Sequence, residues 1–249
     1  MVVKLFNPLW FAVMSLIPIL VIIFTVRYRD RNMDEKVRMM KRLSVVSMGV
    51  YVLYKLYAIF LPEYDTVVWR ELPLQLCNLG IFLSYPAHSK RFSFLKPFVV
   101  YVGFFGTLAG ILMPDSNHTD IPFWDPLSGG FYATHILGLV LIILFVTLKI
   151  YKPRLKDIPL VLLEAVVIVF IIHIINVVFR ATGLCGEANY CFTLGLPENA
   201  IMNLLWSWIP VPYLFMLPLV PVLGILDLLF FGVYTVIDLA AAKKARKLS

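Results

Sequence analysis

Residues 158–180 read IPLVLLEAVVIVFIIHIINVVFR, with only Glu164, His173 and Asn176 breaking an apolar run before Arg180. At ~1.5 Å per residue, a helix over this stretch crosses the ~30 Å of hydrocarbon in a bilayer. Lys149, Lys152, Arg154 and Lys156 precede it, whereas residues 181–211 after it carry no lysine or arginine. The positive-inside rule therefore places its start in the cytoplasm and its end outside.

Six further apolar stretches lie at 8–26, 43–61, 68–85, 97–113, 129–150 and 212–237. The third is the weakest, since its apolar part is short and it carries Gln75 and Asn78. Pro18, Pro218 and Pro221 fall inside spans and predict kinks, while Pro62 and several others sit at boundaries, where a missing N–H is tolerated. The first stretch is too long for the core of a secretory signal and is followed by its basic cluster, so it reads as a span.

Basic residues alternate with these spans. Segment 27–42 holds Arg27, Arg29, Arg31, Lys36, Arg38, Lys41 and Arg42; the turn near 90 holds Lys90, Arg91 and Lys96; the tail holds Lys243, Lys244, Arg246 and Lys247. The remaining connections, 62–71, 114–128 and 181–211, contain Arg70 alone. The expected architecture is an all-α bundle of seven transmembrane helices, N-terminus outside and C-terminus cytoplasmic. It forms one domain over 1–249, with an extracytoplasmic loop at 181–211 and a basic tail at 239–249. Hydrophobic residues make up 61% of the 249 positions and the mean hydropathy is +0.87, against 45–50% apolar in soluble domains. A multi-pass protein of a cell membrane, most simply the bacterial plasma membrane, is expected. The net charge of +7 matches basic loops facing anionic headgroups and calls for no nucleic-acid partner.

Cys185 and Cys191 flank a five-residue segment of the outer loop, where a disulfide is plausible and two free thiols are the alternative. Inside the spans, Lys55, Cys77 and His135, with His173, fall about 8–11 Å below the outer surface when residues are counted from the span ends. Asn176 and Arg180 continue the His173 face. Glu164 and Asp227 fall in the inner half, where they are expected to share a polar network or a proton. Gly103, Gly106 and Gly110 have the spacing of closely packed membrane helices.

Each polar residue has a bland reading: Cys77 as a small buried residue, His135 as an interhelical hydrogen-bonder, Lys55 as a snorkelling cation. Their common depth favours a joint one. A thiol and an imidazole form a nucleophile–base pair, and a nearby cation restores thiolate character to a buried thiol. Such a pair can attack a lipid ester at the headgroup–acyl boundary, with Asn78 or Asn176 donating to the oxyanion and Arg180 holding a phosphate.

Residues 72–79, LPLQLCNL, resemble the LPLxLCxL signature of the YwaF-like bacterial membrane proteins, relatives of eukaryotic transmembrane protein 164. His135, Asn176, Asn189-Tyr190 and the Trp206–Tyr213 segment match in order. The resemblance implies a seven-helix fold and, from the eukaryotic branch, a cysteine acyltransferase acting on lysophospholipids. The more distant androgen-induced hydrolases imply fatty-acyl ester chemistry. Cys77 and His135 stand at the positions of the nucleophile and base. Lys55, Asn78, His173, Asn176, Arg180, Asn189 and Tyr190 are the accompanying oxyanion, headgroup or substrate-binding candidates. The leading function is acyl transfer between phospholipids and lysolipids at the outer leaflet through a Cys77 thioester, without cofactor or metal and with membrane lipids as partners. Hydrolysis by the same pair is the neighbouring reading. A proton-coupled transporter using Lys55, Glu164, His173 and Asp227, and a non-catalytic lipid-binding protein, remain the alternatives. A retinal protein is excluded, because residues 212–237 contain no lysine for a Schiff base.

Overall fold

The computed structural model describes residues 1–61, 64, 66–114, 116–195 and 200–246. Pro62, residues 196–199 of the expected outer loop, and Lys247 lie outside them. Among the described residues there is no strand. The main helices are α1 (Pro8–Tyr28), α2 (Met33–Phe60), α3 (Leu76–Ala87), α4 (Leu95–Leu112), α5 (Pro126–Thr147), α6 (Ile158–Ala181), α7 (Ala200–Trp208) and α8 (Leu219–Arg246). Six of them, α1, α2, α4, α5, α6 and α8, are long and apolar enough to cross a membrane.

Local chemistry explains where these helices start. Asn7 caps α1 by accepting from the Trp10 N–H at 2.7 Å, and Pro8 follows at the first helical position. Asn32 caps α2 by accepting from the Glu35 N–H at 2.9 Å, with Asp34 and Glu35 in the first turn. That cap starts α2 ten residues before the apolar stretch, so its basic first turns project beyond the apolar part. Asp125 caps α5 through the Leu127 N–H at 2.8 Å, ahead of Pro126.

The third apolar stretch departs most from expectation. Residues 68–85 do not form one helix: Val68–Arg70 is a single 3₁₀ turn, and α3 begins only at Leu76, after Pro73 and the extended Gln75. At 12 residues, α3 is ~18 Å long, too short to span alone. Pro218 and Pro221 also differ. They stand just before and inside the first turn of α8, where the absent N–H leaves no helical bond unmade, rather than mid-span. Pro18 lies within α1, as expected.

Helix α5 is the centre of the bundle. Two-thirds of its apolar window (67%) is buried inside the protein, against 6% for α1, and it packs on α1, α2, α3 and α4. Helices α1, α6 and α8 present mostly apolar outer surfaces, as a lipid-facing shell does. The basic connections gather at one end: Thr25 and Thr147 hydroxyls lie 3.1 Å apart, Lys41 sits over the Tyr85 ring, and the Tyr101 hydroxyl donates to the Arg154 carbonyl at 3.4 Å. The N-terminal segment closes the other end, where the Phe123 N–H bonds the Met1 carbonyl at 2.9 Å and Tyr132 donates to the Val3 carbonyl.

Helices α3 and α4 touch backbone to backbone. A Cβ on Gly80 would stand 3.0 Å from the Gly103 Cα, and one on Gly103 would stand 3.4 Å from the Gly80 Cα. Gly49 on α2 has nothing within 4 Å of its would-be Cβ. Gly80→Ala should lower stability by about 1–3 kcal/mol through overpacking, whereas Gly49→Ala should be neutral or stabilising; thermal unfolding of both variants in detergent checks this.

Candidate active site

Cys77 is the second residue of α3, in the turn whose first N–H groups have no helical acceptor. Of the three cysteines it alone is not buried. His135 lies on the central helix α5 and is 3% exposed. Its Nδ1 is 2.8 Å from the Phe131 carbonyl, one turn back on the same helix. A carbonyl has no proton to give, so Nδ1 carries the hydrogen and Nε2 presents a bare lone pair. The ring also packs on Phe131, with centroids 4.1 Å apart, and His118 packs on the same phenyl ring at 4.3 Å.

Helix α4 brings these two residues to one stripe. A Cβ on Gly106 would come within 3.2 Å of the Cys77 nitrogen, and one on Gly110 within 2.5 Å of His135 Nε2. The two glycines are one turn apart on a common face, about 6 Å along the axis. The base nitrogen of His135 and the backbone of Cys77 therefore face the same bare strip of α4. No hydrogen bond joins the two side chains directly.

Lys55 on α2 pairs with the connection that leads into α3: its ammonium is 2.5 Å from Glu71 Oε2, with side-chain exposures of 18% and 13%. It does not snorkel into solvent; it lies over the Tyr54 ring, 4.9 Å from the centroid. Glu71 also accepts from the Thr66 hydroxyl at 2.7 Å, and its carbonyl accepts from the Tyr51 hydroxyl at 2.9 Å. Burial pushes the Glu71 carboxyl up, but the Lys55 ammonium, with the Thr66 hydroxyl and Arg70, outweighs it and holds the group below its ordinary value.

The other candidates gather in a separate clamp on the 185–195 segment. Asn176, fully buried, takes the Tyr190 backbone at both ends: its Oδ1 accepts from the Tyr190 N–H at 2.9 Å and its Nδ2 donates to the Tyr190 carbonyl at 2.8 Å. Nδ2 also reaches Thr193 Oγ1 at 2.9 Å, and His173 Nδ1 meets the same hydroxyl at 3.2 Å. Arg180 Nε donates to the Ala188 carbonyl at 2.8 Å. Asn189 accepts from the Leu194 N–H at 2.9 Å, and Tyr190 donates its hydroxyl to the Trp69 carbonyl. These bonds hold Cys191 and Phe192 at φ +52° and +59°, a region non-glycine residues seldom occupy.

The clamp abuts the Cys77 turn. The Cys191 N–H donates to the Gln75 Oε1 at 2.9 Å, and its thiol donates to the Leu74 carbonyl at 3.3 Å. Burial pushes the Cys191 thiol up to about 12, so it stays a neutral donor. Cys185 and Cys191 are both free and buried, so the disulfide considered from sequence is not formed. Cys191 has turned inward to α3 and closes the loop through hydrogen bonds instead.

A family model, the TMEM164 family, matches residues 4–228. The chain belongs to the TMEM164 family. No curated protein and no solved structure matches it. Membership in the TMEM164 family, on a multi-pass helical bundle, is compatible with a membrane enzyme.

Within this TMEM164-family chain, Glu164 and Asp227 do not share a hydrogen bond: Asp227 is fully buried with neither carboxylate oxygen partnered, and Glu164 Oε2 is unpartnered as well. Asn78 is 6% exposed and its Oδ1 has no partner. Among the described residues, no three of His, Cys, Asp and Glu gather to hold a metal ion. Glu71 was not among the sequence candidates. Glu71 lies in a connection, and only the fold shows that it turns back onto Lys55.

A carboxyl lowered on folding stabilises the fold above its unfolded value, and that contribution is lost as pH falls through the folded value. Glu71→Gln should cost on the order of 2–3 kcal/mol at neutral pH by stranding the half-buried Lys55 ammonium. Its deficit against the unsubstituted protein should close as the pH drops below the ordinary 4.5. Thermal unfolding as a function of pH reads both effects.

Proposed function

We propose that this protein is a membrane-embedded acyltransferase that moves a fatty-acyl chain between phospholipid and lysolipid through a thioester on Cys77. The observation that carries the reading is the bare Nε2 of His135 facing the same glycine strip of α4 as the Cys77 turn. A thiol in apolar surroundings attacks well only as its proton leaves, and a neutral imidazole with a free lone pair is the group to take it.

The steps follow from these groups. Cys77 Sγ attacks the ester carbonyl carbon while its proton passes to His135 Nε2. The carbonyl oxygen becomes an oxyanion, stabilised by the Cys77 N–H in the first turn of α3 and by the Asn78 amide. The carbon–oxygen ester bond then breaks, His135 returns the proton to the leaving glycerol oxygen, and a lysolipid departs. The acceptor hydroxyl loses its proton to Nε2 and attacks the thioester. The sulfur–carbon bond breaks, and Cys77 recovers a proton from His135. If water is the acceptor, the same centre is a lipid hydrolase.

In this reading Lys55, fixed by Glu71, places positive charge beside the thiol, and Asn176, His173, Asn189 and Tyr190 position the loop that abuts α3. Arg180, exposed beyond its bond to Ala188, faces the headgroup region. The basic ends of the helices face the cytoplasm of the cell, with the N-terminus and the Cys77 end on the outer side, and α3 completes a seven-helix membrane domain as a partial span.

Intact-protein mass spectrometry after incubation with a defined phospholipid and lysophospholipid tests the reaction. A hydroxylamine-labile acyl adduct and acyl movement to the acceptor are expected, with both lost in Cys77→Ser and reduced roughly 100-fold or more in His135→Ala. Transfer that survives Cys77→Ser would remove Cys77 as nucleophile; no adduct or transfer from any donor tried would favour a binding role.

A further inference from the structure

At the basic end of the bundle, far along α2 from Lys55, the end of α1 and the first turns of α2 border an open cleft of about 260 Å³. Four arginines line it, Arg27 from α1, Arg31 from the connecting turn, and Arg38 and Arg42 from α2, with Glu35 the one acidic residue among the lining. Glu35 is engaged by Arg31 at 3.7 Å, while Arg27, Arg38 and Arg42 have no ion pair among the described residues. Arg38 and Arg42 are four residues apart and therefore stack on one helix face, and Arg27 meets them from the opposite wall. Arg27 is in the last turn of a span, so the cleft lies at the level where headgroups meet water.

We infer that this cleft is a binding site for a phosphate-bearing anion, with the headgroup of an anionic phospholipid as the occupant that its depth favours. Diffuse attraction to an anionic surface needs only exposed cations at that level. Here the cations converge from two walls on one concavity, and all are arginines, whose planar forks bind phosphate oxygens in pairs. Glu35 is the competing anion already inside, so it tunes the site.

The full chain, reconstituted in phosphatidylcholine vesicles containing phosphatidylglycerol and then extracted, is read by native mass spectrometry for retained lipid. Phosphatidylglycerol should be kept in preference to phosphatidylcholine. Retention should fall about tenfold or more in R38Q/R42Q, stay unchanged in K152Q/K156Q, which removes equal charge from another basic connection, and rise in E35Q. The E35Q gain cannot arise from misfolding. Inorganic phosphate that raises the unfolding temperature of delipidated protein, but not of R38Q/R42Q, with no lipid retained, would assign the same site to a soluble phosphate. Equal loss in K152Q/K156Q, or no gain in E35Q, overturns the site.

Discussion

The structure turns on the absence of side chains along one face of α4. Gly103 lets α3 approach to backbone contact at Gly80, Gly106 leaves room for the Cys77 turn, and Gly110 leaves room for the imidazole of His135. In hydrocarbon, helices gain little from hiding apolar surface, so close packing supplies the attraction. Here the strip that packs the bundle is also the strip that Cys77 and His135 share. A methyl group at Gly110 would fall within 2.5 Å of Nε2, which ties the fold and the site to the same backbone positions.

Two polar assemblies hold that arrangement from the loop side. The Lys55–Glu71 pair anchors the connection before α3, and the Asn176 amide anchors the segment that reaches back to Gln75 at the α3 N-terminus. Buried polar groups of this kind are costly when half satisfied; both oxygens of Glu71 have partners, and Asn176 is bonded at both ends of its amide. In the proposed mechanism the reacting thiol therefore sits on a short helix held between a rigid helical strip and a hydrogen-bonded loop, as a preorganised reactive group requires.

Much of this was legible in the residues. The apolar runs and the alternation of basic loops marked the spans because bilayer thickness and lipid charge act on the local sequence directly. The common depth of Lys55, Cys77, His135 and His173 followed from counting along spans, but depth gives no azimuth, and His173 turns to Thr193 in the loop clamp. The rest required tertiary partners. The break of the 68–85 stretch depended on Pro73 and on the Gln75 side chain finding the Cys191 N–H. The helix at Ala200–Trp208 lay inside what read as a loop, and the Cys185/Cys191 spacing suited a disulfide until Cys191 turned towards Leu74. Asn176 and Arg180 were placed on the His173 face by helical periodicity, yet periodicity gives a face and not the identity of what that face meets.

The most direct test of the central claim is the rate at which a small maleimide alkylates Cys77 in the membrane-reconstituted protein, quantified at that residue by peptide mass spectrometry, with and without His135→Ala. If Nε2 serves as base to the thiol across the α4 strip, the substitution slows alkylation by at least about tenfold at neutral pH while the folded bundle persists. Equal rates in the two proteins would show that the imidazole does not act on Cys77, and the account of the site would fail.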